Sequence, residues 1–141
     1  MGTLGGIITT HLSIIPTDGG DVLHGIKKNE ETYFGFGEAY FSNINKGKIK
    51  GWKLQKDMTM NLIVPSGNVK FVFFDENFKS HKELIIGRSN YCRVTVPPKI
   101  WFAFQGLDNK YPNLVFNFAN LPHDPNEVMR KEINEIFYNW S

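Results

Sequence analysis

The chain has 141 residues, the length of one ordinary domain, so we expect a single domain over residues 1–141. Its hydrophobic share of 41% and its charged share of 21% are typical of a soluble globular protein. The net charge of +2 comes from interspersed lysines and acidic residues, whereas duplex binding needs a concentrated basic face. We therefore expect no nucleic-acid partner, although one or two lysines in a pocket suffice to bind a small anion.

Cysteine usage and apolar runs bear on compartment and membrane association. Cys92 is the single cysteine, so no intrachain disulfide can form, which fits a reducing compartment. No apolar run approaches the ~20 residues of a membrane span. Residues 1–8 lack the basic flank of a signal peptide. We expect a cytoplasmic protein with no membrane partner.

Strand signals dominate the chain from residue 7 onward. Runs of β-branched and aromatic residues recur about 8–12 residues apart, separated by turn signals such as residues 43–48 and 65–68. In chain order, the predicted strands cover residues 7–15, 33–42, 49–55, 58–64, 69–74, 84–87, 93–96, 101–105 and 114–118. This spacing predicts an antiparallel sandwich or barrel.

One helix is predicted, over about residues 124–140. Asp124 suits the N-cap, Pro125 the first helical position and Glu127 the first turn. The apolar residues that then recur at the spacing of one helix face are Met129, Ile133, Ile136, Phe137 and Trp140. Such a stripe indicates packing against a core or a second subunit rather than a binding device.

The sequence offers no local motif for metal or phosphate chemistry. Its histidines are scattered, at His11, His24, His81 and His123. A zinc or iron site needs three or four converging ligands, and no His-x-His or His-Glu-x-x-His spacing supplies them. No glycine-rich phosphate loop opens a helix, and no Gly-x-Ser-x-Gly elbow occurs. We predict no metal site.

Three segments resemble one enzyme family. Residues 47–55, Gly-Lys-Ile-Lys-Gly-Trp-Lys-Leu-Gln, resemble the signature strand of the dTDP-4-dehydrorhamnose 3,5-epimerase family, which typically reads Arg-Gly-Leu-His-Tyr-Gln. Residues 96–104 resemble its Ile-Pro-x-Gly-Phe-Ala-His-Gly-Phe strand. Residues 116–118 and 123–127 resemble its late strand and exit loop. The segments follow in the family's order and span most of the chain.

The resemblance implies an all-β, cupin-type jelly-roll barrel, here with a short C-terminal helix. It also implies a homodimer formed by sheet contacts, a nucleotide-sugar or carbohydrate ligand, and no metal or cofactor. The family uses a histidine base and a tyrosine acid beside a 4-keto group, with Arg or Lys nearby. Carried over by position, the arginine falls on Lys50, the base on Lys53, the acid on Asn117 and a second histidine on Phe102. The cation is retained, whereas the acid and the base are replaced.

Lys53 is a candidate replacement for the base. A lysine has a pKa near 10.4, so burial or the neighbouring Lys50 must lower it before the amine can accept a proton. Strict alternation puts Lys50 and Lys53 on opposite faces, so both reach the interior only if Gly51 lies in a bulge. The alternative is a solvated outer face that carries both lysines, with Trp52 buried.

Tyr40 is the candidate replacement for the acid, and Glu38 shares its face of the strand. The tryptophans could wall a pocket that holds a sugar, and amide side chains could bind its hydroxyl groups. The predicted substrate-binding residues are Lys50, Trp52, Glu38, Asn61, Trp101, Gln105 and Asn117.

The sequence is consistent with three functions. The first is an epimerase or isomerase for a nucleotide-linked 4-keto sugar in bacterial surface-polysaccharide biosynthesis, with Lys53 and Tyr40 as unusual acid–base groups. The second is a non-catalytic carbohydrate or nucleotide-sugar binding cupin. The third is a related ketoisomerase, which ranks last because Lys53 and Gln55 replace the histidine pair usual in its signature strand.

Overall fold

The computed structural model describes residues 3–141 and consists mainly of antiparallel strands. Met1 and Gly2, the first residues of the expected domain and of the N-terminal stretch, lie outside the described residues. The strands are β1 (Ile8–His11), β2 (Ile14–Ile15), β3 (Val22–Leu23), β4 (Glu38–Asn43), β5 (Ile49–Gln55), β6 (Met60–Ser66), β7 (Asn68–Phe74), β8 (His81–Gly87), β9 (Cys92–Val96), β10 (Trp101–Gly106), β11 (Leu114–Ala119) and β12 (Val128–Arg130). Short 3-10 turns lie at Leu4–Gly6, Pro125–Glu127 and Ile133–Glu135. The prediction of an all-β chain is confirmed.

Two five-stranded sheets face each other. Sheet 1 has the order β1-β9-β6-β11-β4 and sheet 2 the order β12-β5-β10-β7-β8, while β2 and β3 form a separate ribbon. Because side chains alternate along a strand, each sheet contributes every second residue to the core between them. The inward-facing core residues include Met60, Leu62, Val64, Val94, Val96 and Val115 from sheet 1 and Val69, Phe71, Phe73, Ile86 and Phe102 from sheet 2.

Most predicted strands occur within a few residues of their expected bounds, and the differences have local causes. The prediction of one strand over residues 7–15 is wrong, because β1 pairs with β9 whereas β2 turns away to pair with β3. Pro65, expected in a turn, lies in β6. The β6–β11 register shifts beside it, and proline is tolerated in a sheet at such irregularities.

The prediction of a C-terminal helix over residues 124–140 is wrong. Asp124 does cap a turn, accepting a hydrogen bond from the Asn126 amide at 3.0 Å, but this 3-10 turn ends at Glu127. The chain then becomes extended and pairs with β5 as β12. Tertiary pairing at the free edge of β5 thus overrides a valid local start signal.

The last part of the chain, residues 132–140, forms a strap over the outer face of sheet 2. Ile136, Tyr138 and Trp140 pack against that face, whereas Phe137 between them is 89% exposed. This alternation is the period of an extended chain rather than of a helix. The strap is also tied by the indole of Trp52, which donates to the carbonyl of Ile133 at 3.2 Å.

Residues 24–32 cover part of the outer face of sheet 1 through a buried cation. Arg93 on β9 is fully buried, and its guanidinium donates to the carbonyl of Gly25, the hydroxyl of Thr32 and the carboxylate of Glu30. A buried arginine is stable only with such a set of acceptors. The β11–β4 side of the same sheet keeps an exposed outer face.

A bulge in β5 sets the direction of its side chains. In the pairing with β10, Lys53 lies opposite Phe102 and Gly51 lies opposite Ala103, so Trp52 has no partner there. The backbone of Trp52 instead exchanges two 3.0 Å hydrogen bonds with Lys131, just beyond β12. The bulge that the sequence required at Gly51 is therefore present, and it places Lys50 and Lys53 on the same inward face.

We predict that Gly51→Ala destabilises the fold more than the matched control Gly20→Ala. Both glycines have φ values that side chains rarely adopt, 144° and 134°, so each substitution costs about 1–3 kcal/mol of strain. A Cβ atom at Gly51 would also lie 2.5 Å from the Cβ atom of Ala103, whereas nothing lies within 4 Å at Gly20. Chemical denaturation measures both losses, and equal losses would contradict this role for Gly51.

Candidate active site

A cavity of about 130 Å³ opens between the inward faces of the two sheets. Strands of both sheets form its walls, so residues far apart in the sequence meet there. Its lining residues are Tyr40 and Ser42 on β4, Lys50, Gly51, Lys53 and Gln55 on β5, Leu62 on β6, Phe102 and Phe104 on β10, and Val115 and Asn117 on β11. Polar groups on β4, β5 and β11 thus surround a floor of apolar side chains.

Two lysines of β5 face this cavity because of the bulge. Lys53 is half-buried, whereas Lys50 is exposed at the opening. Arg130 on β12 lies directly across from Lys53 in the strand pairing. Burial lowers the pKa of the Lys53 amine, and the positive charges of Arg130 and then Lys50 lower it further. Lys53 therefore releases its proton more readily than an ordinary lysine.

Tyr40 and Asn117 form a hydrogen-bonded pair on the opposite wall. The Asn117 amide nitrogen donates to the Tyr40 hydroxyl oxygen at 3.0 Å, which leaves the phenol proton free for another acceptor. Burial and the nearby Glu38 carboxylate raise the pKa of Tyr40, while the bond from Asn117 opposes that rise. Tyr40 therefore stays protonated at neutral pH and can act as a hydrogen-bond donor or an acid.

Two buried side-chain oxygens in the cavity have no hydrogen-bond partner. They are Gln55 Oε1 and Asn117 Oδ1, on residues that are each only 6% exposed. A buried polar atom without a partner costs free energy, and such atoms are rare in folded proteins. Both are acceptors, so a ligand that presents hydroxyl or amide donors would satisfy them.

Three predicted substrate-binding residues of sheet 2 lie outside the cavity. Trp52 and Trp101 are buried in the cluster beneath the strap, on the outer face of the sheet. Gln105 follows the inward-facing Phe104, so alternation turns it to that outer face as well. The aromatic residues beside Lys53 are consequently the phenylalanines of β10 rather than the expected tryptophans.

Asn61 and Glu38 also lie apart from the cavity lining. Asn61 is on the outer face of sheet 1, where its amide nitrogen donates to the Thr32 carbonyl at 3.0 Å and its oxygen accepts from the Thr95 hydroxyl at 2.6 Å. Both polar groups are thus engaged within the protein. Glu38 accepts a hydrogen bond from the His123 amide at 3.0 Å, and its charge acts on the cavity through Tyr40.

Gln55 in the cavity and Arg130 beside it were not among the predicted site residues. Gln55 lies two positions after Lys53, so strand alternation alone would have placed both on one face. Arg130 falls in the segment predicted as a helix, and nothing local indicates that this segment pairs with β5. Of the predicted set, Lys53, Tyr40, Lys50 and Asn117 do line one cavity.

Residues 3–141 hold neither a cluster of metal-ligand side chains nor a helix that could cross a membrane. No group of three or more His, Cys, Asp or Glu side chains converges there as metal ligands. In that same range, no helix is long and apolar enough to cross a membrane.

We predict that Lys53→Met is more stable than the wild type at pH 7, and that the difference shrinks as the pH rises. The folded state lowers the Lys53 pKa, so protonation opposes folding at neutral pH and stops opposing it as the pH approaches the ordinary value of 10.5. Urea unfolding of both proteins at pH 7 and near pH 10.5 measures how the difference in the free energy of unfolding changes. Lys70→Met, on the outer face of β7, is the matched control, and an equal pH dependence in both variants would contradict the burial of Lys53 beside other cations.

Neither a family model nor a curated protein sequence matches the chain, but solved structures do. A dTDP sugar isomerase from Desulfovibrio desulfuricans is 31% identical, with a TM-score of 0.88 over 96% of this chain and 90% of that one. A dTDP-4-dehydrorhamnose 3,5-epimerase from Sulfolobus tokodaii is 21% identical, with a TM-score of 0.81 over 96% and 83%. A 3′-monoepimerase from Streptomyces bikiniensis, in complex with dTDP-quinovose, is 11% identical, with a TM-score of 0.85 over 99% and 78%.

These likenesses agree with the family indicated by residues 47–55. The two more distant structures show the shared fold, while the Desulfovibrio structure shares nearly a third of its residues along almost the whole of both chains. The chain therefore belongs to the dTDP-4-dehydrorhamnose 3,5-epimerase-like family of nucleotide-sugar epimerases and isomerases.

Proposed function

We propose that the protein is an epimerase or isomerase that acts on a dTDP-type nucleotide-linked 4-keto sugar in bacterial surface-polysaccharide biosynthesis. The observation that carries the proposal is that Lys53 and Tyr40, the candidate base and acid, line the same cavity. They belong to different sheets, so they approach a ring bound between the sheets from two sides. Removing a proton on one side and returning one on the other inverts a carbon centre.

The neutral amine of Lys53 removes the proton in this mechanism. A carbon beside the 4-keto group is acidic because the ketone takes up the electron pair as an enolate. The amine accepts the proton, and the charge of Lys50 stabilises the enolate oxygen. The phenol of Tyr40 then gives its proton to the carbon, and solvent restores both groups to their starting states. No cofactor is needed for these steps.

The unpartnered oxygens and the cavity volume favour a sugar ring as the group that enters. Gln55 Oε1 and Asn117 Oδ1 would accept hydrogen bonds from sugar hydroxyls. Pockets that enclose drug-sized ligands measure about 300–1,000 Å³, whereas this cavity measures about 130 Å³. The sugar therefore occupies the cavity, and the nucleotide lies outside it near the exposed Lys50.

The wider architecture is proposed to be a single cupin-type jelly-roll domain located in the cytoplasm. The strand orders β9-β6-β11-β4 and β5-β10-β7-β8 support a jelly roll, because chain neighbours alternate between the two sheets, except at the β7–β8 hairpin, as in paired Greek keys. The lone cysteine supports a reducing compartment.

A homodimer formed through the β4 edge of sheet 1 is also part of the proposal. The edge strand β4 has a neighbour only on the β11 side, and an unpaired edge invites another chain. Beside this edge, Phe41 is 64% and Phe36 is 62% exposed, and they contact Phe116 and Phe118 at ring distances of 5.0 and 5.3 Å. Contiguous exposed aromatic residues are typical of an interaction surface.

A non-catalytic nucleotide-sugar binding cupin is the second candidate. The replacement of the family's histidine and tyrosine by Lys53 and Asn117 favours it, because an asparagine cannot exchange a proton as an acid. The two candidates differ in one observable, since a binding protein would take up the ligand without exchanging its protons.

We predict that the wild type catalyses deuterium uptake from heavy water at the carbons flanking the ketone of a dTDP-linked 4-keto sugar. Lys53→Ala should slow this uptake at least about 100-fold, because general-base removal typically costs that much or more. Lys53→Arg should also fail, because arginine stays protonated. Lys70→Ala is the control variant, and dTDP binding by calorimetry should survive in all three. Binding without any uptake in the wild type would favour the non-catalytic cupin.

We predict that the protein is a dimer at micromolar concentration and that Phe41→Glu returns it to the monomer mass of 16.2 kDa in light scattering. A buried charge in an aromatic interface opposes association. Phe137→Glu is the matched control, because Phe137 is 89% exposed on the strap of the other sheet and should leave the dimer intact. A wild-type mass of 16.2 kDa would contradict the proposed dimer.

A further inference from the structure

Three cations in or beside the candidate active site form no salt bridge with a carboxylate. Within residues 3–141, the salt bridges join Arg88 with Asp21 and Arg93 with Glu30, both away from the cavity. The positive charges of Lys50, Lys53 and Arg130 therefore repel one another, and no salt bridge neutralises them. Proteins usually separate such groups, because like charges directly opposite on neighbouring strands are destabilising.

The strand register places Arg130 directly across from Lys53. β12 pairs with β5 so that Arg130 lies opposite Lys53, and directly opposed side chains have Cβ atoms about 4.5–5.5 Å apart. The next residue, Lys131, lies on the other face of the sheet, with its ammonium 5.5 Å from the ring centre of Trp101. Arg130 and Lys131 thus lie on opposite faces, and of these two only Arg130 shares the face of Lys53.

Among residues 3–141, no carboxylate lines the cavity that holds Lys53. The groups that share its cavity are Lys50 and Gln55 on β5, Phe102 and Phe104 on β10, Tyr40 on β4 and Asn117 on β11, with Arg130 added by β12. The acidic groups around the cavity lie outside its lining. Glu38 raises the pKa of Tyr40, and Glu132 and Glu135 border a surface recess together with Arg130.

We propose that Arg130 is a positioning residue of this site, whose guanidinium, held across the strand pair from Lys53, favours the neutral amine that removes the substrate proton. This inference rests on the proposed function of Lys53 as a base. An arginine does not give up its proton in a protein, so repulsion within the pair is relieved only when the lysine loses its own. Burial acts on Lys53 in the same direction, and Lys50 adds a second, smaller repulsion.

The experiment titrates Lys53 directly, without substrate. Lysine side chains labelled with ¹³C at the ε carbon are followed by NMR from pH 6 to 12, and the Lys53 signal is assigned by its absence in Lys53→Arg. The titration is repeated in Arg130→Gln, Arg130→Lys and Lys131→Gln. Arg130 is exposed, so these variants should fold, and thermal melting checks that they do.

Arg130→Gln should raise the Lys53 pKa, whereas Arg130→Lys should keep it near the wild-type value because the charge remains. Lys131→Gln removes a charge at the adjacent position but on the other face, so it should have a clearly smaller effect. An unchanged Lys53 pKa in Arg130→Gln would overturn the proposal. An equal shift in Lys131→Gln would also overturn it, because the effect would then depend on net charge rather than on placement.

The pH dependence of deuterium uptake separates this role from a structural one. Uptake in the wild type should increase with pH as Lys53 loses its proton. Arg130→Gln should move that increase to higher pH, with a several-fold loss at neutral pH and recovery of the wild-type rate at high pH. A uniform loss at every pH would count against the proposal. If the wild type shows no uptake while Arg130→Gln still shifts the titration, the assignment of the reaction fails and the effect of Arg130 on Lys53 stands.

Discussion

The bulge at Gly51 and Trp52 is the constraint on which the candidate site depends. A regular strand would direct Lys50 and Lys53 to opposite faces. The extra residue in β5 directs both side chains to the interior. The positive φ of Gly51 and the close approach of Ala103 leave little room for any other residue at position 51. The bulge is also braced from outside, since Lys131 takes the two backbone hydrogen bonds of Trp52 that β10 does not make. The C-terminal segment thereby holds the site from the β12 side of the sheet.

The same C-terminal segment shows what local sequence could and could not predict. The strands were predictable because their apolar residues alternate and their turns carry glycine, proline and asparagine signals. Residues 124–140 also carried a sound helix signal, and Asp124 does cap a turn. What ended the helix was a partner far away in the sequence: the free edge of β5 offers backbone hydrogen bonds to residues 128–130, and the outer face of sheet 2 offers an apolar surface to the strap. Local helix propensity depends on neither the β5 edge nor the apolar face of sheet 2, so it could not predict this outcome.

Site residues could be predicted where their direction follows from alternation along one strand. They could not be predicted where their contacts depend on how two strands pair. Lys50 and Lys53 followed from the resemblance together with the bulge that Gly51 allowed. Tyr40 and Asn117 both reach the cavity, but their mutual hydrogen bond depends on the pairing of β4 with β11. Trp52 and Trp101 were expected beside Lys53 on the grounds that aromatic residues suit a sugar pocket. Alternation placed them on the other face, where they support the strap instead.

The cavity is assembled from groups that lower the stability of the empty protein. A half-buried lysine opposite an arginine, and two buried acceptor oxygens without donors, are each unfavourable in a fold whose other buried polar groups, such as Asn61 and Asn113, are largely hydrogen-bonded. Unfavourable groups concentrated in one cavity are typical of sites that a ligand completes, because binding then satisfies what folding left unpaired. The acceptors call for donors on the ligand, and the lysines call for negative charge that is present in it or develops on it. A hydroxylated sugar that carries a phosphate and a ketone able to form an enolate meets both requirements, which is why the arrangement of these few residues says more about function than the fold they share with their relatives.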